Sequence, residues 1–334
     1  MRNRWIKLHI LMMILFLSVV GCTNQEKPLE TVDGEKDSQK VIQVFASFYP
    51  YYDFAKEIGG DHVKITTIVP AGTEPHSFDP SPKTIADLER ADIFIYNGLD
   101  MEPWVEKVLV LLKGKDIKVI DASKSVELLT LGEEHHGEDY DHEDDDHDHD
   151  HGHEEDHKHG LYDPHIWVDP VNAIQISEAI KEAFVDMDPD HQPIYEENYS
   201  RFKEELEKLN DQFIEELKDA TNRKIIVSHS AFGYLAKRYN IEEIAVAGIS
   251  PNAEPSPKRL AELTKLAKEH DIKYIFFEAL ANVKTAEVLA NEAGLQVLTL
   301  YNIEGLTEEQ KNNGDGYISI MYQNLETLKK ALVD

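Results

Sequence analysis

Four side chains stand where a metal ion could be held. His76 lies in Glu74-Pro75-His76-Ser77-Phe78-Asp79-Pro80, just after the β-branched run from Val63 to Val69. His165 lies in Asp163-Pro164-His165-Ile166-Trp167-Val168-Asp169-Pro170, leading into a helical stretch. His229 follows the apolar run Ile225-Ile226-Val227, and Glu278 closes Ile275-Phe276-Phe277. Three neutral imidazoles and one carboxylate suit a tetrahedral or near-tetrahedral Zn(II) site with bonds of ~2.0–2.2 Å. Taken singly, each residue has a plainer role. A His after a strand is more often a hydrogen-bonded loop residue, and Glu278 alone reads equally well as an exposed strand-end carboxylate. His62, His191 and His270, on predicted helix ends or turns, stay in that plainer class.

The elements that would gather the four are written twice in the chain. Residues 80–88 read PSPKTIADL and residues 255–263 read PSPKRLAEL, identical at six of nine positions. The flanks repeat too. Ala71-Gly72 precedes the first copy and Ala247-Gly248 the second; Ile93-Phe94-Ile95-Tyr96 follows one and Ile272 to Phe277 the other. Val44-Phe45-Ala46-Ser47 opens one half and Ile225-Ile226-Val227-Ser228 the other. Ser81 and Ser256 suit helix N-caps, with Pro82 and Pro257 at the first helical position. Strands of 4–7 apolar residues alternating with helices predict parallel sheets covered on both faces. The fold class is therefore α/β: two pseudo-symmetric lobes of parallel sheet flanked by helices, over residues 41–187 and 221–334.

Between them, residues 188–220 carry one long helical pattern. Phe202, Leu206, Leu209, Phe213 and Leu217 recur at spacings of 4, 3, 4 and 4, one face of a helix. A single rigid helix joining two lobes predicts limited hinge motion. Ligands of open parallel sheets bind at the carboxyl edge of the strands. His76, His229 and Glu278 are predicted at that edge, and the connection bearing His165 can reach it. Two lobes facing each other would then hold all four in one cleft.

The N-terminus reads as an export signal. Arg2, Arg4 and Lys7 precede a short apolar run, Leu8 to Val20, too short for a membrane span of ~20 residues. Val19-Val20-Gly21-Cys22 resembles a bacterial lipobox, which implies a signal peptide over 1–21, lipidation of Cys22 and anchoring to the outer face of the cell membrane. Cys22 is the only cysteine, so neither an intramolecular disulfide nor thiolate metal ligands are expected. Residues 23–40 are polar and read as a tether. The formal charge of −30 disfavours nucleic-acid binding, which needs a basic face, and favours cations.

Residues 133–159 hold nine His and fourteen Asp or Glu. Such density of like charge cannot form a core, so residues 133–160 are expected to be a disordered insertion. His135, His136, His142, His147, His149, His151, His153, His157 and His159 are candidates for many exchangeable metal sites that raise the local zinc concentration near the cleft. The plainer alternative is a solvated acidic linker. His153-Glu154-Glu155-Asp156-His157 matches the metalloprotease pattern H-E-x-x-H, but that motif needs an amphipathic helix, and this neighbourhood has no apolar face.

The motifs EPHSFDPSPKTIADL, DPHIWVDP and VSHSAFGYLA resemble the metal-binding solute-binding lipoproteins of bacterial zinc and manganese ABC importers, the cluster A-I family. The likeness covers nearly all of residues 41–334. It implies two α/β lobes joined by a backbone helix, Zn(II) as the transported ligand, a permease and its ATPase as partners, and a monomer. It also implies metal ligands at His76, His165 and His229. Zinc members carry His at the third of these positions, where many manganese members carry Glu. Manganese members also use an Asp beyond the strand ending at Glu278, where Asn282 is the expected equivalent here, leaving Glu278 as the fourth ligand. The His-rich insertion is likewise a zinc-type feature. The expected function is capture of extracytoplasmic Zn(II) and delivery to an importer, without enzymatic activity. The alternatives are a manganese or iron homologue, a zinc hydrolase with Glu278 as general base, and a surface zinc buffer or adhesin. Since His ligates only when neutral, binding is expected to weaken below about pH 6.

Overall fold

The computed structural model describes residues 41–131, 160–249, 255–278 and 290–334. The signal segment, Cys22, the tether, the nine loop histidines and Asn282 lie outside the described residues.

The first half of the chain builds strands β1 (Ile42–Ala46), β2 (Val63–Thr67), β3 (Ile93–Tyr96) and β4 (Lys118–Asp121). Helices α1 (Tyr49–Gly59), α2 (Pro82–Leu88) and α3 (Val105–Leu112) alternate with them. The second half repeats the pattern with β5 (Lys224–Val227), α6 (Gly233–Arg238), β6 (Glu242–Ala245), α7 (Pro257–Glu269), β7 (Tyr274–Phe277) and β8 (Gln296–Thr299). Both sheets are parallel throughout and share one order, β2-β1-β3-β4 and β6-β5-β7-β8. The internal repeat is thus a structural repeat. Its two copies form α2 and the start of α7, each capped as expected: the Ser81 hydroxyl accepts from Thr84 N–H and the Ser256 hydroxyl from Arg259 N–H, both at 3.2 Å.

In each sheet the chain leaves the first strand toward one side and returns on the other. The switch points fall between β1 and β3 and between β5 and β7, where crevices open beyond the strand ends. Helix α4 (Pro170–Met187) packs on the first half, and the long α5 (Gln192–Leu217) runs from it to the second, with α8 (Glu308–Asn313) and α9 (Tyr317–Leu332) ending the chain. The predicted stripe on α5 is buried as Phe202, Leu206, Leu209, Phe213 and Leu217, extended by Tyr195 and Tyr199. At 1.5 Å per residue, its 26 residues run ~39 Å. It packs on α1 and α4 of the first half and on α9 of the second.

One apolar core runs through both halves. It joins Val44 and Ile95 of the first sheet, the α5 stripe, Ile225 and Val227 of the second sheet, and Tyr317 and Leu328 of α9. Each half adds a smaller private cluster on the far face of its sheet, around Phe94 and Trp104 in one and Ile226 and Ile275 in the other. Residues 41–334 accordingly pack as one unit.

Candidate metal centre

His76 sits in a short 3₁₀ turn, Pro75–Ser77, beyond the end of β2. Glu74 caps that turn: its carboxylate accepts from His76 N–H at 2.6 Å, Ser77 N–H at 3.1 Å and the Ser77 hydroxyl at 2.8 Å. The capping fixes the backbone, and the imidazole is left to point inward.

His165 is fully buried. Asp163 holds it twice, accepting from its backbone N–H at 2.9 Å and from Nδ1 at 2.8 Å through the same oxygen. With the proton on Nδ1, Nε2 keeps its lone pair, the form a metal needs. Asp163 is itself clamped between the halves: the Tyr234 hydroxyl donates to its carbonyl at 3.0 Å. Gly233 at the start of α6 is so close that a β-carbon there would lie 2.5 Å from Asp163 Oδ2. On the β3 side, Asn97 Nδ2 donates to the Pro164 carbonyl at 2.9 Å. Two residues on, the buried Trp167 indole donates to the Asn302 carbonyl at 2.6 Å. Asp169 then caps α4 at Val171 N–H and takes Arg238 in a two-pronged ion pair, with Nη2 at 2.6 Å and Nε at 2.9 Å. The segment Asp163–Asp169 is therefore a bolt between lobes.

His229 leaves the end of β5 and is also fully buried. β5 and β7 are neighbours, with Val227 paired to Phe276, so the next residues, His229 and Glu278, meet across the switch point. Glu278 Oε1 accepts from His229 Nδ1 at 2.7 Å and from the Ser228 hydroxyl, and Asn302 Nδ2 donates to its other oxygen at 3.2 Å. Glu278 is therefore occupied behind the imidazole, orienting it as Asp163 orients His165. The geometry departs from the expectation of Glu278 as fourth ligand: strand register aims this carboxylate at Nδ1 of its neighbour, away from the gathered Nε2 atoms.

The carboxylate among those atoms belongs to Glu304, five residues past the end of β8. His76, His165, His229 and Glu304 each offer one donor atom, all within 4.8 Å of one another. Glu304 Oε1 lies 3.7 Å from His76 Nε2, 3.7 Å from His165 Nε2 and 3.9 Å from His229 Nε2. His76 Nε2 and His165 Nε2 are 3.2 Å apart. A tetrahedral zinc ion with ligand bonds of ~2.0–2.1 Å requires donors about 3.3 Å apart, so small adjustments close this shell. Both His229 Nε2 and Glu304 Oε1 are buried without a hydrogen-bond partner. Two such orphans facing each other are costly unless a further group joins them. A divalent cation coordinated by both would do so.

The electrostatics agree. Burial, reinforced by His165 and His229, pushes the His76 pKa down to about 2, and burial also depresses His165 despite Asp163. Both imidazoles stay neutral and ready to ligate. At His229 burial opposes charge, but Glu278 and then Glu304 outweigh it and raise the pKa to about 9. Burial, together with Glu278 and Glu74, lifts Glu304 to about 8 against the pull of His229. The metal-free centre thus holds on to protons at His229 and Glu304 that an incoming cation would replace.

Sequence reasoning did not find Glu304. Gln296, Val297 and Thr299 of β8 are exposed and Leu298 is half-buried; the run 295–300 is apolar enough for a strand, but no strand or site residue is predicted beyond Glu278. The available signal was positional: Glu304 follows the fourth strand of a repeat whose strand ends carry the other candidates.

Two α/β lobes fastened by a long helix around a buried, pre-oriented three-His, one-Glu cluster define a metal-binding protein of the two-lobed solute-binding class. Residues 44–331 match the family described as zinc-uptake complex component A, periplasmic (ZnuA). The high-affinity zinc uptake system protein ZnuA of Bacillus subtilis is 37% identical over all of this chain and 99% of its own length. The zinc-binding lipoprotein AdcA of Streptococcus pneumoniae is 39% identical over 94% of this chain, which spans 58% of AdcA's length. The Zn(II)-bound ZnuA-like domain of Streptococcus pneumoniae AdcA superposes with a TM-score of 0.72 at 35% identity, covering 88% of this chain and 99% of that domain. The chain belongs to the ZnuA family.

Proposed function

We propose that this protein captures Zn(II) outside the cytoplasm and passes it to an ABC-type importer. The ion is held by Nε2 of His76, His165 and His229 and by Glu304, with Asp163 and Glu278 orienting two of the imidazoles from behind. The observation that carries this reading is the pair of partnerless buried atoms, His229 Nε2 and Glu304 Oε1, facing each other inside a cluster of four donors. Zinc is favoured over manganese because three imidazoles and one carboxylate are a tetrahedral, nitrogen-rich set, whereas manganese prefers more oxygen ligands.

Four protein ligands saturate a tetrahedral ion, which suits storage and transfer. A catalytic zinc would need an open position for water. Family membership supports a solute-binding transport component, and we extend that to a non-enzymatic monomer working with a permease and ATPase. The lobe assignment (41–187 and 221–334, linked by 188–220) and anchoring through Cys22 belong to the same proposal; no helix among the described residues is long and apolar enough to cross a membrane. The nine loop histidines are proposed as an auxiliary zinc collector.

A competitive zinc titration of the chain with residues 133–159 deleted tests this. One tight equivalent, abolished by His229→Ala, is expected. Weak or absent binding after the deletion would transfer the metal chemistry to the acidic loop and make the protein a surface zinc buffer.

A further inference from the structure

A cavity of about 320 Å³ opens beside the metal centre, between α1 and β2 of one lobe and the 304–315 segment of the other, and it reaches Glu304. The three histidines do not line it, so Glu304 stands between the cavity and the imidazoles. One wall is made of the Tyr49 and Tyr52 rings, stacked at 6.3 Å between centroids. Lys56 comes from one lobe and Lys311 from the other.

The lining sets two ammonium groups, Lys56 and Lys311, beside three carboxylates, Asp53, Asp315 and Glu304, of which Asp53 and Asp315 already accept hydrogen bonds. Tyr49 Oη is engaged with Asp53 Oδ1 and the Asp315 carbonyl, and Asp53 Oδ2 accepts from Tyr317 N–H at 2.8 Å. Asp315 Oδ1 accepts from the Ser319 hydroxyl at 3.1 Å. The field of Lys56 reaches Asp53 and Glu57, yet among the described residues neither the Lys56 nor the Lys311 ammonium is in an ion pair or hydrogen bond, and the Tyr52 hydroxyl has no partner there either. Two free ammonium groups and a phenol against aromatic rings recognise a small carboxylate. The metal-ligand carboxylate at the inner end of the same cavity recognises a cation. A carboxylate-bearing molecule that carries a zinc ion presents both.

We propose that the cavity docks a small carboxylate chelate of zinc, of the α-amino-acid or hydroxycarboxylate class, with Lys56 and Lys311 gripping the carboxylate while Glu304 takes the ion and passes it to the three histidines. This rests on the zinc reading of the centre and names the form in which the ion arrives. Capture then proceeds by ligand exchange: a zinc–oxygen bond to Glu304 forms as a bond to the chelator breaks, and no bare aquo ion needs to form. Because the lysines come from different lobes, the docked anion also draws them together.

The test is stopped-flow capture of zinc by the purified full chain, followed by fluorescence of Trp167, whose ring lies 5.5 Å from that of His165. The probes are zinc complexes of L-histidine, of citrate and of histamine, which is histidine without its carboxylate. The rate should rise and saturate with the histidine or citrate complex, showing which of the two classes docks, and should track free zinc alone with histamine. Lys56→Met/Lys311→Met should lower the initial slope for the carboxylate complexes by about tenfold or more, since it removes two charge-assisted contacts, and leave the equilibrium zinc affinity in chelator-free buffer unchanged. Rates that follow only free zinc for all three probes, or a double variant as fast as the parent, would overturn the cavity proposal and leave the zinc site standing. A parent protein that fails to bind zinc in chelator-free buffer would overturn the zinc reading itself, and this inference with it.

Discussion

Glu278 and Glu304 are both buried carboxylates next to His229, and they differ in which nitrogen they face. Glu278 meets Nδ1 at 2.7 Å, and Glu304 lies on the Nε2 side at 3.9 Å. A neutral imidazole donates through one nitrogen and ligates through the other, so the two carboxylates hold different jobs. Glu304→Gln should remove an anionic ligand and weaken zinc binding by more than about 100-fold. Glu278→Gln leaves the shell complete but blunts orientation and basicity of His229, which costs about 10–100-fold. Competitive titration with a calibrated chelator ranks the two, and the reverse order would restore Glu278 as the ligand. Protonation gives a second test. His76 and His165 are already neutral, so they add no pH dependence in the physiological range. His229 and Glu304, raised to about 9 and about 8, must each give up a proton before the ion is fully held. Apparent zinc affinity should therefore climb steeply from pH 6 to 8, about tenfold per pH unit for each proton released. The general expectation for histidine ligands, loss only below about pH 6, predicts a plateau there instead. Calorimetry in buffers of different ionisation enthalpy counts the released protons directly.

At the scale of elements, the turn after β3 shows how burial stores a pH response away from the metal. Glu102 folds back so that its carboxylate accepts from Asn97 N–H at 2.8 Å and Gly98 N–H at 3.3 Å, and Asn97 in turn braces Pro164 next to His165. Burial nevertheless raises the Glu102 pKa from 4.5 to about 7, against those hydrogen bonds. A carboxyl whose folded pKa is raised binds its proton more tightly in the folded state. Its contribution is fully favourable below about pH 4.5 and is lost as pH rises toward 7. Over that window the group should withdraw about 3 kcal/mol of stability, at 1.36 kcal/mol per unit. Glu102→Gln keeps an acceptor oxygen but cannot titrate, so the difference between the pH–stability curves of variant and parent isolates this group from other buried carboxyls. Parallel curves in urea melts between pH 4.5 and 7 would show that Glu102 ionises normally. The elements themselves were largely legible in the sequence. Capping serines, apolar β-strands and the α5 stripe report local physics that tertiary contacts then reinforce. The three histidines were legible because they follow strongly apolar or β-branched strands or sit in a marked turn. Glu304 was not, because it stands five residues beyond its strand with no motif of its own, and because a carboxylate's side of an imidazole depends on strand register, which composition does not record.

On the scale of the whole molecule, the repeat suggests two independent lobes, but the packing makes them one body. The stripe on α5 contributes to a core that includes both sheets, and aromatic contacts continue it on either side: Phe202 lies 5.8 Å from Phe54 of α1, and Phe213 stacks on Tyr239 at 4.7 Å. Trp167, Tyr317 and the Asp169–Arg238 pair cross the same boundary near the metal. Opening the lobes widely would expose this shared core and strand those buried polar partners, at a cost of many kcal/mol by area alone. Metal capture must therefore work by small local movements, chiefly of the His76 turn, the least buried of the histidine segments, and of Glu304, rather than by hinge closure. Spin labels at exposed Lys113→Cys and Lys265→Cys, one on each lobe, should report an inter-lobe distance that changes by less than about 3 Å between metal-free and zinc-loaded protein, well short of a hinge-type domain closure. Unfolding should also be a single transition, since Phe213→Ala, which removes a ring from the common core, is expected to cost about 3–5 kcal/mol without splitting the melt in two. A large distance change together with two separate transitions would mean that the lobes are coupled only through the helix backbone, and the shared core would then be a closed-state contact that zinc itself brings about.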